Sequence, residues 1–437
     1  VIELDLREET VREGAPAPRD WIRGSRWVAS AITLCLLLGL AGSVPIARYL
    51  DQTATLRVPA GASMTLSDQR LYIYTGGAGP TLSAYTLNGR RLWQTASRYG
   101  DAVFLREAGN TLLINVNRSG TAQTAAVDAL TGDELWSLGA QVEPLADGRT
   151  GLITATAFTG VPADGAPEFL DTNGNRFFPA PDSTTLSAVD LATGGTLWTR
   201  SFGGSARQAA RPGTTEVVVA DQSGVQVLDA RSGDVLRSTL LTGGFAIEGF
   251  SVSDELIIAQ QSGRRGGQTF AYRPDTLAEA WHLRMPGNMV VTGCEDVPCA
   301  TEVSDLRLLD PATGAVSYAV RSASVHRQGG HTLLVPQTDE KDLRIAPEPG
   351  GTPEALPGWT LVPPSSTVSG RTAEAPVLLT RDGDGRVWLA ALPASGAPRE
   401  LGSLASGAFD CQSTVTMVAC RTELEEIRVW QLEGVRP

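Results

Sequence analysis

Lysine is almost missing from this chain: Lys341 stands alone among 36 basic residues, so a Schiff-base lysine has a single candidate. Histidine occurs three times (His282, His326 and His331), which is little material for a multi-histidine metal centre. The five cysteines include no C-x-x-C spacing, which removes a c-type haem attachment site and the common zinc ribbons. No G-x-S-x-G nucleophile elbow and no H-E-x-x-H zinc helix occurs. Basic residues total 36 against 48 acidic ones, a net charge of −12, so the basic footprint of a nucleic-acid binder is also lacking. What is plentiful is apolar and turn-forming material. With 42% hydrophobic residues, 47 Gly and 26 Pro in 437 positions, the composition is that of a folded, turn-rich chain.

One uncharged run stands out. Trp27 to Ala47 is 21 residues long, enough at about 1.5 Å per residue to cross a hydrocarbon core of about 30 Å. Arg19, Arg23 and Arg26 precede it closely, and Arg48 is alone on the far side until Arg57. That bias predicts a single-pass anchor in membrane lipid, with 1–26 as a disordered cytoplasmic tail and the bulk of the chain extracytoplasmic. The alternative is a cleaved signal peptide ending at Ala41-Gly42-Ser43.

The remainder is repetitive. Ala126-Val-Asp128-Ala-Leu-Thr131-Gly132-Asp-Glu-Leu-Trp136 returns as Ala188-Val-Asp190-Leu-Ala-Thr193-Gly194-Gly-Thr-Leu-Trp198. Degenerate copies end at 93, 237, 281, 318 and 400, with a worn one near 344–354, and most spacings are 36 to 46 residues. Each copy reads as an apolar strand, a tight Asp-x-x-Thr-Gly turn, and a strand ending in a large aromatic. Glycine supplies the positive φ, and Asp or Thr side chains hydrogen-bond the turn backbone. Short strands such as TLLINVN, EVVVADQ, ELIIAQQ and HTLLVPQ run ahead of them, giving about four strands per repeat. That is a propeller blade, and Trp93, Trp136, Trp198 and Trp281 should pack against the neighbouring blade.

The A-x-D-x-x-T-G-x-x-x-W pattern resembles the blade motif of PQQ-dependent quinoprotein dehydrogenases and of their non-enzymatic PQQ-like relatives, over about residues 60–432. High Arg with almost no Lys, together with abundant Ala and Gly, suggests a GC-rich, actinobacterial genome. The fold class expected is therefore all-β, a β-propeller over 53–432 preceded by one transmembrane helix. A literal count gives nine blades, counting a closing unit in which TATLRVP (53–59) completes the blade of EIRVWQL (426–432). Relatives usually have eight or seven, so eight is the number expected, with the worn copy near 344–362 taken as an irregular connection.

Outside the anchor the cysteines form two local pairs. Cys294 with Cys299 and Cys411 with Cys420 read as disulfides bracing adjacent strands in an oxidising compartment, with zinc as the alternative. The gap of 62 residues between the two strong motifs requires an insertion at about 158–185. Within it, Asp171, Asn173, Asn175 and Asp182 have the oxygen-ligand spacing of a calcium loop. Arg176 replaces the usual sixth-position Gly, and Asp stands where Glu is usual, so a surface turn is the competing reading. As a long loop at one end of a propeller, the insertion is the preferred contact surface.

For activity, the resemblance to quinoproteins implies a vicinal Cys-Cys pair in many members, calcium ligands and a catalytic base. No vicinal pair occurs here, and no histidine sits in a recognisable motif. The expected function is a non-catalytic binding or scaffold propeller, tethered to the membrane and engaging an unknown protein or cell-envelope ligand, without a cofactor. The alternative is a PQQ- or calcium-dependent oxidoreductase with a divergent site.

Overall fold

A computed structural model describes residues 49–432, except for 78, 98–102, 119–120, 159–168, 171–175, 178–180, 243–245, 262–266, 286–288, 295–296, 303–304, 322, 337–341, 347–351, 366–375, 394–395 and 405–406. The segments expected as cytoplasmic tail (1–26) and anchor (27–47) lie outside these residues. Among the described residues there is no helix, and hence none long and apolar enough to cross a membrane.

The described chain forms nine four-stranded antiparallel sheets and one two-stranded hairpin. Eight sheets follow one another in sequence: 63–96, 103–138, 143–203, 207–240, 247–285, 289–321, 323–357 and 360–403, which we number as blades 1 to 8. Blade 9 combines Ala408–Ser413, Met417–Thr422 and Glu426–Leu432 with the first strand of the domain, Leu50–Arg57. The ring thus closes non-covalently. Leu50 pairs with Leu432 and Arg57 with Glu426, so the edge that Glu426–Leu432 would expose is covered.

Nine blades replace the eight expected. The worn copy is a complete blade, built from Ala323–Gln328, His331–Pro336, Asp342–Ala346 and Glu354–Pro357. It lacks a Thr-Gly turn, but the alternation of its strands still buries Leu333, Leu343 and Leu356. The ladder and the apolar faces form the blade, and the turn motif is dispensable.

In blades 1 to 8 the strands run outward in chain order, and blade 9 takes its outer strand from the start of the domain. First strands of neighbouring blades, such as those of blades 4 and 5 and of 5 and 6, lie against one another around the centre. Antiparallel order places the turns between second and third strands, and the connections between blades, on one face, here the upper face. The other turns lie on the lower face. Second and third strands are covered on both sides, and Leu71-Tyr72-Ile73-Tyr74 is buried throughout.

The core lies between blades rather than within them. Nine apolar clusters occupy the nine seams, such as Tyr72, Leu82 and Trp93 of blade 1 against Leu112 and Ile114 of blade 2. Four seams carry the same clasp. The indole N–H groups of Trp93, Trp136, Trp198 and Trp281 donate to the carbonyls of Ala129, Leu191, Ala230 and Pro311 at 2.8–3.0 Å, each in the next blade. The ring covers the turn glycine of that blade, Gly132, Gly194, Gly233 or Gly314, all at φ of +70° to +78°. A methyl group there would lie within 2.8 Å of the indole or closer, so glycine is required by both conformation and space. The Asp of the motif holds the turn. Asp190 Oδ1 accepts the Ala192 and Thr193 N–H groups at 3.0 Å, and Asp128, Asp229 and Asp310 act alike.

The seam between blades 4 and 5 departs from this pattern on both sides at once. Arg237 stands where the tryptophan would be, and Leu277, at φ +55°, where the glycine would be. Ion pairs hold this junction instead. Arg237 and Arg211 both bond Glu216, and Arg211 Nη1 reaches Asp275 of blade 5 at 2.8 Å. Burial opposes ionisation of Glu216, but the bonds from Arg237 and Arg211 outweigh it and hold the carboxyl below the usual glutamate range. At seam 1–2, the nearly buried Arg70 bonds Glu107, whose other oxygen accepts the Tyr72 hydroxyl at 2.9 Å. Burial, then the Glu107 charge, pushes the Tyr72 phenol far up.

Candidate functional site

The upper ends of the inner strands of blades 1 to 4 build a trough. Its larger part, about 550 Å³, is lined by Ser63 and Thr65 of blade 1, Phe104, Arg106 and Gln123 of blade 2, Gln141, and Gln412 of blade 9. A second part of about 430 Å³ shares Gln141 and continues along Glu143, Leu152, Thr154, Gln208 and Ala210 of blades 3 and 4. Phe104 is 68% exposed although it lies on an inner strand, Val103–Ala108.

The polar groups here are held in place. Arg106 pairs with Glu143 across the seam, and Gln141 Nε2 donates to Glu143 Oε1 at 2.6 Å. Gln412 bridges the ring closure: its Oε1 accepts the Leu66 N–H and its Nε2 donates to the Met64 carbonyl, both at 2.9 Å. The wall therefore offers amides, one ion pair and an exposed aromatic ring. Such a surface suits recognition of polar chains with apolar side groups.

The residues singled out from sequence are scattered relative to this trough. Both cysteine pairs are disulfides, Cys294–Cys299 in blade 6 and Cys411–Cys420 in blade 9, each tying a first strand to a second. Of the calcium candidates, Asp171, Asn173 and Asn175 lie outside the described residues. Asp182 is exposed, and its backbone extends the blade 3 ladder by bonds to Ala157 and Gly204 at 2.8 Å. Among the described residues no group of three or more His, Cys, Asp or Glu side chains could hold a metal ion. The histidines stand apart: His282 stacks on Phe270 in blade 5, His326 lies on the inner strand of blade 7, and His331 contacts the Pro393 carbonyl at 2.9 Å. The insertion leaves blade 3 at Ala157 and returns at Ser183, on the upper face with the trough, and Phe169–Leu170 pairs with Arg176–Phe177.

Sequence reading missed the trough. Its inner-strand residues are ordinary amides and a lone Phe, with no spacing to mark them. The changes at Arg237 and Leu277 went unread as well, although both fall at fixed motif positions.

The chain matches the model of the PQQ-like family described as outer membrane protein assembly factor BamB over residues 52–155 and 126–333. That span exceeds half of the chain. The protein belongs to this family. No curated protein matches it. Among solved structures, BamB from Moraxella catarrhalis aligns over 88% of this chain and 98% of its own, at 16% identity and a TM-score of 0.39. A eukaryotic initiation factor aligns over 84% and 94% at 11% identity, with a TM-score of 0.52. At such identities the likeness is one of fold.

Proposed function

We propose that this BamB-family propeller is a non-catalytic binding or scaffold module, tethered to the membrane through 27–47, with its domain extracytoplasmic and its upper face engaging a protein partner. The observation that carries the reading is the trough: positioned amides and the Arg106–Glu143 pair beside a Phe104 side chain that is 68% exposed. An aromatic ring of that exposure beside positioned polar groups is the kind of anchor that interfaces use. The family description, an assembly factor, agrees with a protein partner.

A photoreactive residue at Phe104, in the full chain in its own membranes, tests this. The expected result is a discrete protein adduct that a probe at Leu236, on the outer strand of blade 4, does not give. The same adducts from both positions would remove the trough as the contact site. Titration with PQQ, with and without calcium, examines the oxidoreductase alternative, which a saturable rise in melting temperature would favour.

A further inference from the structure

Blade 3 is built unevenly. Its second, third and outer strands, Thr150–Ala157, Ser183–Asp190 and Thr196–Gly203, each run eight residues, but its inner strand is only Glu143–Pro144. The inner strand pairs with Leu152 and Gly151 and reaches no further, while the third strand pairs along the whole of Thr150–Ala157. The cause is visible in blade 2. Thr124 Oγ1 lies 2.8 Å from the Ala140 carbonyl and accepts the Val142 N–H at 2.9 Å, which holds 140–142 on that blade.

Hydrogen bonds at the two ends of the second strand fix its backbone directions. The carbonyls of Arg149 and Ala157 accept from Leu191 and Asp182, on the third-strand side, whereas that of Thr150 accepts from Leu145, on the inner side. Alternation therefore turns the N–H and C=O of Thr154 and Thr156 inward, where no strand pairs with them among the described residues. Residues Thr154 to Ala157 are all exposed. Beside this edge lies the 430 Å³ part of the trough, floored by Leu152, Ala209 and Ala210, with Gln208 bonded to Thr154 Oγ1.

We infer that this inner edge of blade 3 takes up an extended strand of a partner polypeptide, which completes the blade. The inference rests on the partner-binding reading above and specifies its contact. Two inward N–H and C=O pairs about 6.8 Å apart match alternate residues of an extended chain. The floor of Leu152, Ala209 and Ala210 selects a small apolar side chain on the strand face turned toward blade 4, and Gln141 and Gln208 select polar neighbours. The described strands of the insertion, Phe169–Leu170 and Arg176–Phe177, pair with each other. Outer strand edges recur around the rim, whereas this edge adjoins a cavity.

The test uses the full chain in detergent and a set of labelled decapeptides, each with Ala, Val or Ser alternating with Ser at its centre and Lys at its ends. Binding should slow amide exchange at Thr154 and Thr156. Thr156→Ala should bind as the parent does. Thr156→Pro removes an inward N–H and no ladder bond, so it should keep the melting temperature and weaken binding at least ten-fold. A peptide N-methylated at alternate residues should lose binding likewise. Protection at other strands, unchanged binding by Thr156→Pro, or no protection by any member of the set at millimolar concentration would overturn the inference. Retention of the Phe104 adduct in Thr156→Pro would remove this edge while leaving the partner-binding reading in place.

Discussion

Replacing Gly194 by alanine isolates what one blade clasp contributes. The residue sits at φ +70°, and an added Cβ would lie 2.7 Å from Cγ and 2.9 Å from Cδ2 of Trp136. The left-handed conformation alone costs an alanine about 1 kcal/mol. Displacing the indole also breaks its 2.8 Å bond to the Leu191 carbonyl, and leaving buried polar groups unpaired costs about 1–3 kcal/mol. Gly194→Ala should therefore destabilise by about 2–4 kcal/mol. Trp136→Ala should cost about 3–5 kcal/mol, as expected for truncating a buried aromatic. In the Trp136→Ala background the indole atoms are gone and the residue 136 Cβ, 3.1 Å from the added methyl, is what stays of that side chain, so Gly194→Ala should fall toward the backbone term of about 1 kcal/mol. Gly213 supplies an internal reference, because it lies at φ +66° with nothing within 4 Å of an added Cβ. Urea unfolding of the four variants of the cycle, and of Gly213→Ala, measures all of these quantities. Equal cost of Gly194→Ala with and without Trp136, or a cost no larger than that of Gly213→Ala, would refute the clasp.

The other expectations concern single seams. The Glu216 carboxyl is depressed in the folded state, so its stabilisation is present above the ordinary glutamate pKa and lost as pH falls through the lowered value. The stability difference between wild type and Glu216→Gln should accordingly shrink on acidification below the ordinary glutamate range, and a pH-independent difference in urea midpoints would contradict this. Glu107→Ala should cost about 3–5 kcal/mol, because it leaves the Arg70 guanidinium buried without its partner, and thermal unfolding checks this. The two disulfides close sequence separations of 5 and 9 residues, so Cys294→Ser or Cys420→Ser should each cost about 2–3 kcal/mol by chain entropy, and additive losses in the double variant would show that blades 6 and 9 are stapled independently.

The fold was legible because it is carried by positions that recur. Asp128, Thr131 and Gly132 are a turn and Trp136 is the lid of the next one, and their second appearance at Asp190 to Trp198 marks a repeat without any knowledge of contacts. The count was harder to read. In the seventh blade the turn motif has decayed, and the strands are held by pairing and by the burial of Leu333, Leu343 and Leu356, which short apolar runs announce only weakly. The closing strand could be inferred because Glu426–Leu432 has no successor in the chain, and Leu50–Arg57 supplies it. The trough was beyond reach for a physical reason. Gln123, Gln141, Gln208 and Gln412 are far apart in sequence, and the ring alone brings them to the two adjoining parts of one trough. Nor does residue type reveal that Glu143–Pro144 stops short: the cause is a hydrogen bond from Val142 to Thr124 in another blade.

The distribution of clasps bears on where binding can be specific. Trp93, Trp136 and Trp198 lock the seams between blades 1 and 2, 2 and 3, and 3 and 4, which are consecutive. The trough and the open edge of blade 3 lie above these same three seams. Beyond blade 4 the pattern breaks, with Arg237 and Leu277 in place of the indole and its glycine. An indole wedged on a glycine fixes the relative tilt of two blades through close packing and a directional bond. Long side chains joined by ion pairs keep rotamer freedom, and water screens them in part. A strand added to Thr154 and Thr156 needs the spacing between blades 3 and 4 to be set before it arrives, since ordering that gap on binding would subtract from affinity. The most uniform clasps thus underlie the part of the upper face where preorganisation matters.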